Sequence, residues 1–158
     1  MGYEVHASTG RVDSEGGFLR NLGASELVAR DELSRDSKPL EKEIWAGVVD
    51  TVGDKVLATA IAQTRYEGTV TACGLAGGAA LPSTVMPFIL RGVTLRGIDS
   101  VMANQARRQR AWDALAEVMD RDQLREIYRV VAMSDIPDLA PKIVQGEVRG
   151  RLVVDVNA

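Results

Sequence analysis

The sequence holds one cysteine, Cys73, and one histidine, His6. A lone cysteine excludes an internal disulfide framework. With so few soft ligands, a structural zinc site would have to be mostly carboxylate, and no metal is expected. No run of about 20 apolar residues occurs, so no segment reads as a bilayer span. The opening stretch MGYEVHASTGR is interrupted by Glu4 and His6 and does not read as a signal peptide. Positive charge is not in excess either: 19 Lys and Arg face 22 Asp and Glu, for a net charge of −3. No overall field is available to gather nucleic acid or anionic lipid, and any anion site must be local. Neither nucleic acid nor membrane is expected as a partner, and a reduced, cytoplasmic setting fits these absences. Internal repeats and low-complexity linkers are also missing, so one domain is the default for 158 residues that are 46% hydrophobic.

Against these absences stands a regular alternation of elements. Tyr3 to Ala7 reads as a strand that runs into the polar cluster Ser8-Thr9-Gly10-Arg11. A helix follows with Phe18, Leu19 and Leu22 on one face and Gly23 at its carboxyl cap. Leu27 to Ala29 reads as a strand, Leu40 to Ile44 as one or two helical turns, and Gly47 to Val52 as another strand. Asp54 is placed to cap a helix from Lys55 to Gln63, whose Val56, Leu57, Ala60 and Ile61 form an apolar stripe. Glu67-Gly68 breaks the pattern before a strand from Thr69 to Cys73. Val85 to Leu90 reads as a short apolar turn, and Thr94 to Ile98 as a strand. Asn104 to Met119 is the longest helix candidate, Pro137 to Gln145 a further helix, and Leu152 to Val156 a last strand. Strands separated by helices are the mark of βαβ units, so the expected class is α/β with a mostly parallel, doubly wound, Rossmann-like sheet.

In a dinucleotide-binding sheet the residue ending the second strand sorts the cofactors. A carboxylate holds free ribose hydroxyls, whereas Arg with hydroxyl donors accepts a 2′-phosphate. Here Ser8, Thr9, Gly10 and Arg11 stand at such an end without a carboxylate, which favours NADPH over NADH. The same four residues also fit a solvated turn. The glycine-rich stretch Cys73 to Gly78 follows a strand, where open α/β sheets bind ligands; it fits a ribose or nicotinamide contact and a flexible connection equally. Cys73 is expected to be small and buried rather than a nucleophile, and His6 to be structural. Asp50 and Asp99 each end a strand, where a carboxylate either caps the following turn or meets a ligand. Arg107, Arg108 and Arg110 read as a solvated helix face.

The collinear segments STGR, GASELVARDEL, PLEKEIWAGVVDTVGDKVLA, CGLAGG, LPSTVMPFILRGVTLRGIDSV and GEVRGR together carry a resemblance. The chain resembles the YhdH/YhfP group of zinc-free, quinone-oxidoreductase-like medium-chain reductases, which includes acrylyl-CoA reductases. That resemblance implies NADPH as cofactor and hydride transfer to an activated C=C bond of an enoyl-CoA or quinone-like small molecule. It implies that Thr9, Gly10, Arg11 and Arg30 lie at the adenosine 2′-phosphate, and Leu75, Ile89 and Ser100 along the nicotinamide half. It assigns no catalytic residue here. It further implies that the whole chain is a partial NADPH-binding domain. The first strand, its glycine-rich phosphate loop and an N-terminal GroES-like catalytic domain are then expected to lie outside it. Such a chain is expected to be inactive alone and to associate with itself or with the N-terminal part. A non-enzymatic nucleotide-binding or assembly module is the alternative.

Overall fold

The computed structural model describes residues 2–158, which divide into two compact units, one ending at Ala103 and the other running from Asn104 to Ala158. Length and composition made one domain the default; the division at Ala103 carries no Gly, Pro or Ser-rich linker that would announce it.

The first unit opens with a βαβ crossover. Strand β1 (His6–Thr9), helix α1 (Val12–Asn21) and strand β2 (Glu26–Ala29) follow one another, and the strands pair in parallel with His6 opposite Glu26 and Thr9 opposite Ala29. Parallel strands cannot be joined by a tight turn, so the connection must cross over as a helix. Asp13 and Glu15 in the first turn of α1 and Arg20 in its last complement the helix dipole. Gly23, with φ 103°, sits just past the helix as expected of a left-handed cap. The short helix α2 (Arg30–Leu33) begins directly after β2.

A three-stranded parallel sheet follows in the order β3-β4-β5, made of Trp45–Asp50, Thr64–Ala72 and Thr94–Gly97. Helix α3 (Asp54–Ala62) crosses from β3 to β4, and α4 (Met86–Arg91) precedes β5. The register aligns Val48, Val70 and Leu95 across the sheet. Val48 and Leu95, with Ala72 and Phe88, pack against a buried cluster of Leu57, Ile61, Val70 and Val93. The apolar stripe of α3 therefore does what its spacing predicts, and Ile61 is completely buried. Alternate residues of β3 face the other way, and Val49 there is 77% exposed. Among the described residues β1 pairs only with β2, and β3 only with β4. The His6 and Trp45 rings, at the first residues of β1 and β3, meet edge to face at 5.3 Å.

Several expectations are corrected here. Residues 40–44 form no helical turn, because their backbone bonds to the end of α3 instead: Glu41 N reaches Ala62 O at 3.0 Å and Ile44 N reaches Gln63 O at 2.8 Å. Strand β4 starts at Thr64 and runs through Glu67 and Gly68, where Glu67 has φ 56°; the break is an irregularity inside the strand. Asp54 does not cap α3. Gly53, φ 76°, holds that place and Asp54 is the first helical residue. Val85 to Leu90 is largely helix rather than a turn.

The second unit contains α5 (Gln105–Val118), α6 (Arg121–Ile127), β6 (Tyr128–Ala132), a 3-10 turn (Met133–Asp135), α7 (Ile136–Val144) and β7 (Arg151–Asp155). Strands β6 and β7 pair in parallel. Asn104 caps α5 by accepting Arg107 N at 2.9 Å, and no residue of that helix is buried, so the arginine-bearing turn is an exposed face as expected.

Candidate functional site

Two groups of the singled-out residues lie at carboxyl ends of parallel strands, where open α/β sheets bind ligands. The first is set by the register of β1 and β2. Because Thr9 pairs with Ala29, Arg11 and Arg30 emerge just beyond the same edge. Strand β1 runs through Ser8 and Thr9, two residues further than expected, and Gly10 and Arg11 form the exposed bend that follows it. The Thr9 hydroxyl accepts the Arg11 amide at 3.1 Å. A Cβ added to Gly10 would lie 3.5 Å from Cζ of Arg30, in ordinary contact, so that guanidinium rests against the Gly10 backbone. The Arg11 guanidinium stands 4.0 Å from Glu15 Oε1, a residue only 9% exposed. Glu32, three residues past Ala29, turns back to accept the Ala29 amide at 3.3 Å. The structure thus brings Thr9, Gly10, Arg11 and Arg30 together. Two guanidinium groups and a hydroxyl suit a compact dianion with several acceptor oxygens.

The second group surrounds the ends of β3 and β4. Asp50 is 4% exposed and its carboxylate accepts Gly53 N at 2.9 Å and Val52 N at 3.3 Å. Three amides of the glycine-rich loop then bond to three consecutive carbonyls: Cys73 N to Asp50 O at 2.9 Å, Ala76 N to Thr51 O at 3.3 Å, and Gly77 N to Val52 O at 2.7 Å. The loop is therefore tied down along most of its length and is no loose connection. Its glycines are required by contact. A Cβ on Gly74 would meet Thr51 O at 2.5 Å, and one on Gly53 would meet Gly78 O at 2.4 Å. Leu75 projects from this loop, 66% exposed. Ile89 on α4 is 73% exposed, and Ser100 lies exposed beyond β5 in a turn whose Asp99 accepts Val101 N at 2.9 Å. These three residues stand on three separate segments of the same unit.

Cys73 is exposed, which corrects the expectation of a buried residue: β4 ends at Ala72 and delivers Cys73 to the loop, with Sγ 3.2 Å from Asp50 O. Both strand-end acids cap turns. Asp50 carried a readable signal, an acid three residues before a glycine at a strand end, whereas nothing in the sequence marked Glu15 as buried. A cavity of about 320 Å³ lies at the amino end of β3 and is lined by Val28, Glu32, Arg35, Trp45 and Gln63.

The profile of the zinc-binding dehydrogenase family matches residues 1–117. Acrylyl-CoA reductase AcuI of Ruegeria pomeroyi is 52% identical over all of this chain, which covers 48% of that protein. The putative quinone oxidoreductase YhfP of Bacillus subtilis is 41% identical over 97% of the chain and 47% of its own length, and its solved structure has NAD bound. The YhdH oxidoreductase of Salmonella enterica, solved in complex with NADP, is 49% identical and superposes with a TM-score of 0.94. That match covers 98% of this chain and 47% of the other. The chain spans about half the length of the relatives it matches. As for zinc, no three His, Cys, Asp or Glu side chains gather among the described residues. Cys73 and His6 are the only soft ligands in the sequence, and His6 packs against Trp45. This chain's residues do not fit a tetrahedral zinc site.

Proposed function

From the premise that the chain belongs to the zinc-binding dehydrogenase family, we propose that it forms the NADPH-holding part of a reductase. Its substrate class is an activated C=C bond in an acrylyl-CoA-like or quinone-like acceptor. The observation that carries the cofactor is the convergence of Thr9, Arg11 and Arg30 beyond the end of β1, a strand that itself ends without a carboxylate. Arg11 and Arg30 hold the 2′-phosphate by charge-assisted hydrogen bonds, Thr9 fixes the turn that carries Arg11, and Gly10, lacking a Cβ, lets the Arg30 guanidinium lie against the backbone. Leu75, Ile89 and Ser100 border the nicotinamide half, where exposed apolar side chains keep water from one face of the ring.

When bound, NADPH supplies the hydride that adds to the β-carbon of the acceptor, and a proton completes the reduction. The protein groups in this chain orient and hold. The activity itself belongs to the whole protein, because the chain spans about half the length of its relatives. We propose an arrangement in which a further strand lies between β1 and β3 and a separate catalytic domain brings the acceptor. The names of the relatives and the NADP complex of the Salmonella protein support this reading.

The test is fluorescence titration with NADPH and NADH, followed by an assay of NADPH oxidation with acrylyl-CoA. NADPH is expected to bind about tenfold to a hundredfold more tightly than NADH, with no turnover by the chain alone. Equal affinity for the two would overturn the cofactor assignment.

A further inference from the structure

We infer that Asp50 is a positioning residue for the nicotinamide half of the site, acting through the turn Thr51–Gly53 on the loop Cys73–Gly78. The inference rests on the NADPH reading above, but its structural half stands apart from any ligand. Asp50 is buried at the end of β3, and its two oxygens take the amides of Val52 and Gly53. With those amides held inward, the carbonyls of Asp50, Thr51 and Val52 are left to the neighbouring loop, and each accepts one of its amides, from Cys73, Ala76 and Gly77. An isolated bridge also joins Gly53 to Gly78. At Gly53 and Gly74 backbone meets backbone directly: a Cβ on either would strike a carbonyl oxygen of the other segment, at 2.4 or 2.5 Å. Backbone packed on backbone has no flexible layer to absorb a shift. A displacement of the turn therefore moves the loop, and with it Leu75, which the loop presents to solvent. The carboxylate itself is too deeply buried to meet a ligand, so it acts on binding only through these two segments.

Asp50→Asn is the direct variant, because one of its two acceptors survives; Gly77→Ala is the second. The latter leaves the carboxylate intact and presses the loop away from outside, since its Cβ would lie 2.9 Å from Val52 Cγ1 and 3.2 Å from Val52 O. Two readouts are taken on the full chain. In amide exchange without ligand, Ala76 and Gly77 are expected to exchange about tenfold faster in Asp50→Asn, while the buried amides of α3 keep their rates. In calorimetric titration, both variants are expected to bind 2′,5′-ADP as the wild type does and to lose about tenfold in affinity for NADPH. Unchanged exchange at Ala76 and Gly77 would overturn the inference whatever the ligands do. Equal losses for 2′,5′-ADP and NADPH would also overturn it, by showing a general loss of structure. Failure of the NADPH reading looks different: the wild type itself would bind 2′,5′-ADP no better than 5′-AMP.

Discussion

At the residue scale, the charged stretch around Pro39 hides a network that its composition does not reveal. Arg35 grips Glu41 with both terminal nitrogens, at 2.7 and 2.6 Å, and Gln63 adds a third donor at 3.0 Å while accepting from the Trp45 indole. The Arg35 guanidinium, with Gln63 and the Lys38 amide, holds the Glu41 carboxyl down at about 2 against the opposition of partial burial. A depressed folded value means stability that is present above the ordinary carboxylate range, near 4.5, and is lost as pH falls toward about 2. Discounted for the exposure of Arg35, the contribution is about 1–2 kcal/mol. Urea unfolding of Glu41→Gln, read by Trp45 fluorescence in a Trp112→Phe background, is expected to show this loss at pH 7 and about half of it near pH 3. A variant whose deficit stays constant across that range would contradict it. Arg91 ties the same corner together by donating to Ala62 O, Thr64 O and Glu41 O. None of these partners is adjacent in sequence, so no local pattern could announce them.

At the scale of elements, glycine separates requirement from tolerance. Gly53 combines φ 76° with a backbone oxygen 2.4 Å from any added Cβ, so Gly53→Ala is expected to cost about 2–3 kcal/mol. Gly17 lies inside α1 with nothing within 4 Å of an added Cβ, and Gly17→Ala is expected to stabilise by about 0.5–1 kcal/mol. Thermal unfolding of the pair checks both; the same sign of shift in the two variants would show that these environments are misdescribed. The alternation of strand and helix was legible wherever glycine, proline or an acid marked a boundary, as at Gly23 and Gly53. It was illegible where no marker exists. Helix α6 ends at Ile127 and β6 begins at Tyr128 with no turn residue between them, and neither is apparent from the sequence pattern. Leu40 to Ile44 misled for the opposite reason: a local helical spacing lost to backbone bonds with the distant end of α3.

At the scale of the whole molecule, the α/β class and parallel pairing were legible because parallel strands force helical crossovers, which leave a periodic trace. The site was legible in part. The cluster at β1 and β2 is assembled by register between two strands whose sequences can each be read alone, whereas the tie between the turn at Asp50 and the loop at Gly77 is a tertiary contact with no such trace. The proposed strand between β1 and β3 has a measurable consequence. Amides on the facing edges of these strands are expected to exchange fast in the chain alone and to become protected once that strand is supplied, because parallel strands expose alternate amides to each neighbour. Full protection in the chain alone would contradict the proposal. The central claim is the 2′-phosphate subsite, and calorimetric titration with 2′,5′-ADP and 5′-AMP tests it most directly. The wild type is expected to bind 2′,5′-ADP about tenfold to a hundredfold more tightly than 5′-AMP, with the gap narrowing in Arg11→Ala and in Arg30→Ala. Equal binding of the two nucleotides by the wild type would contradict it.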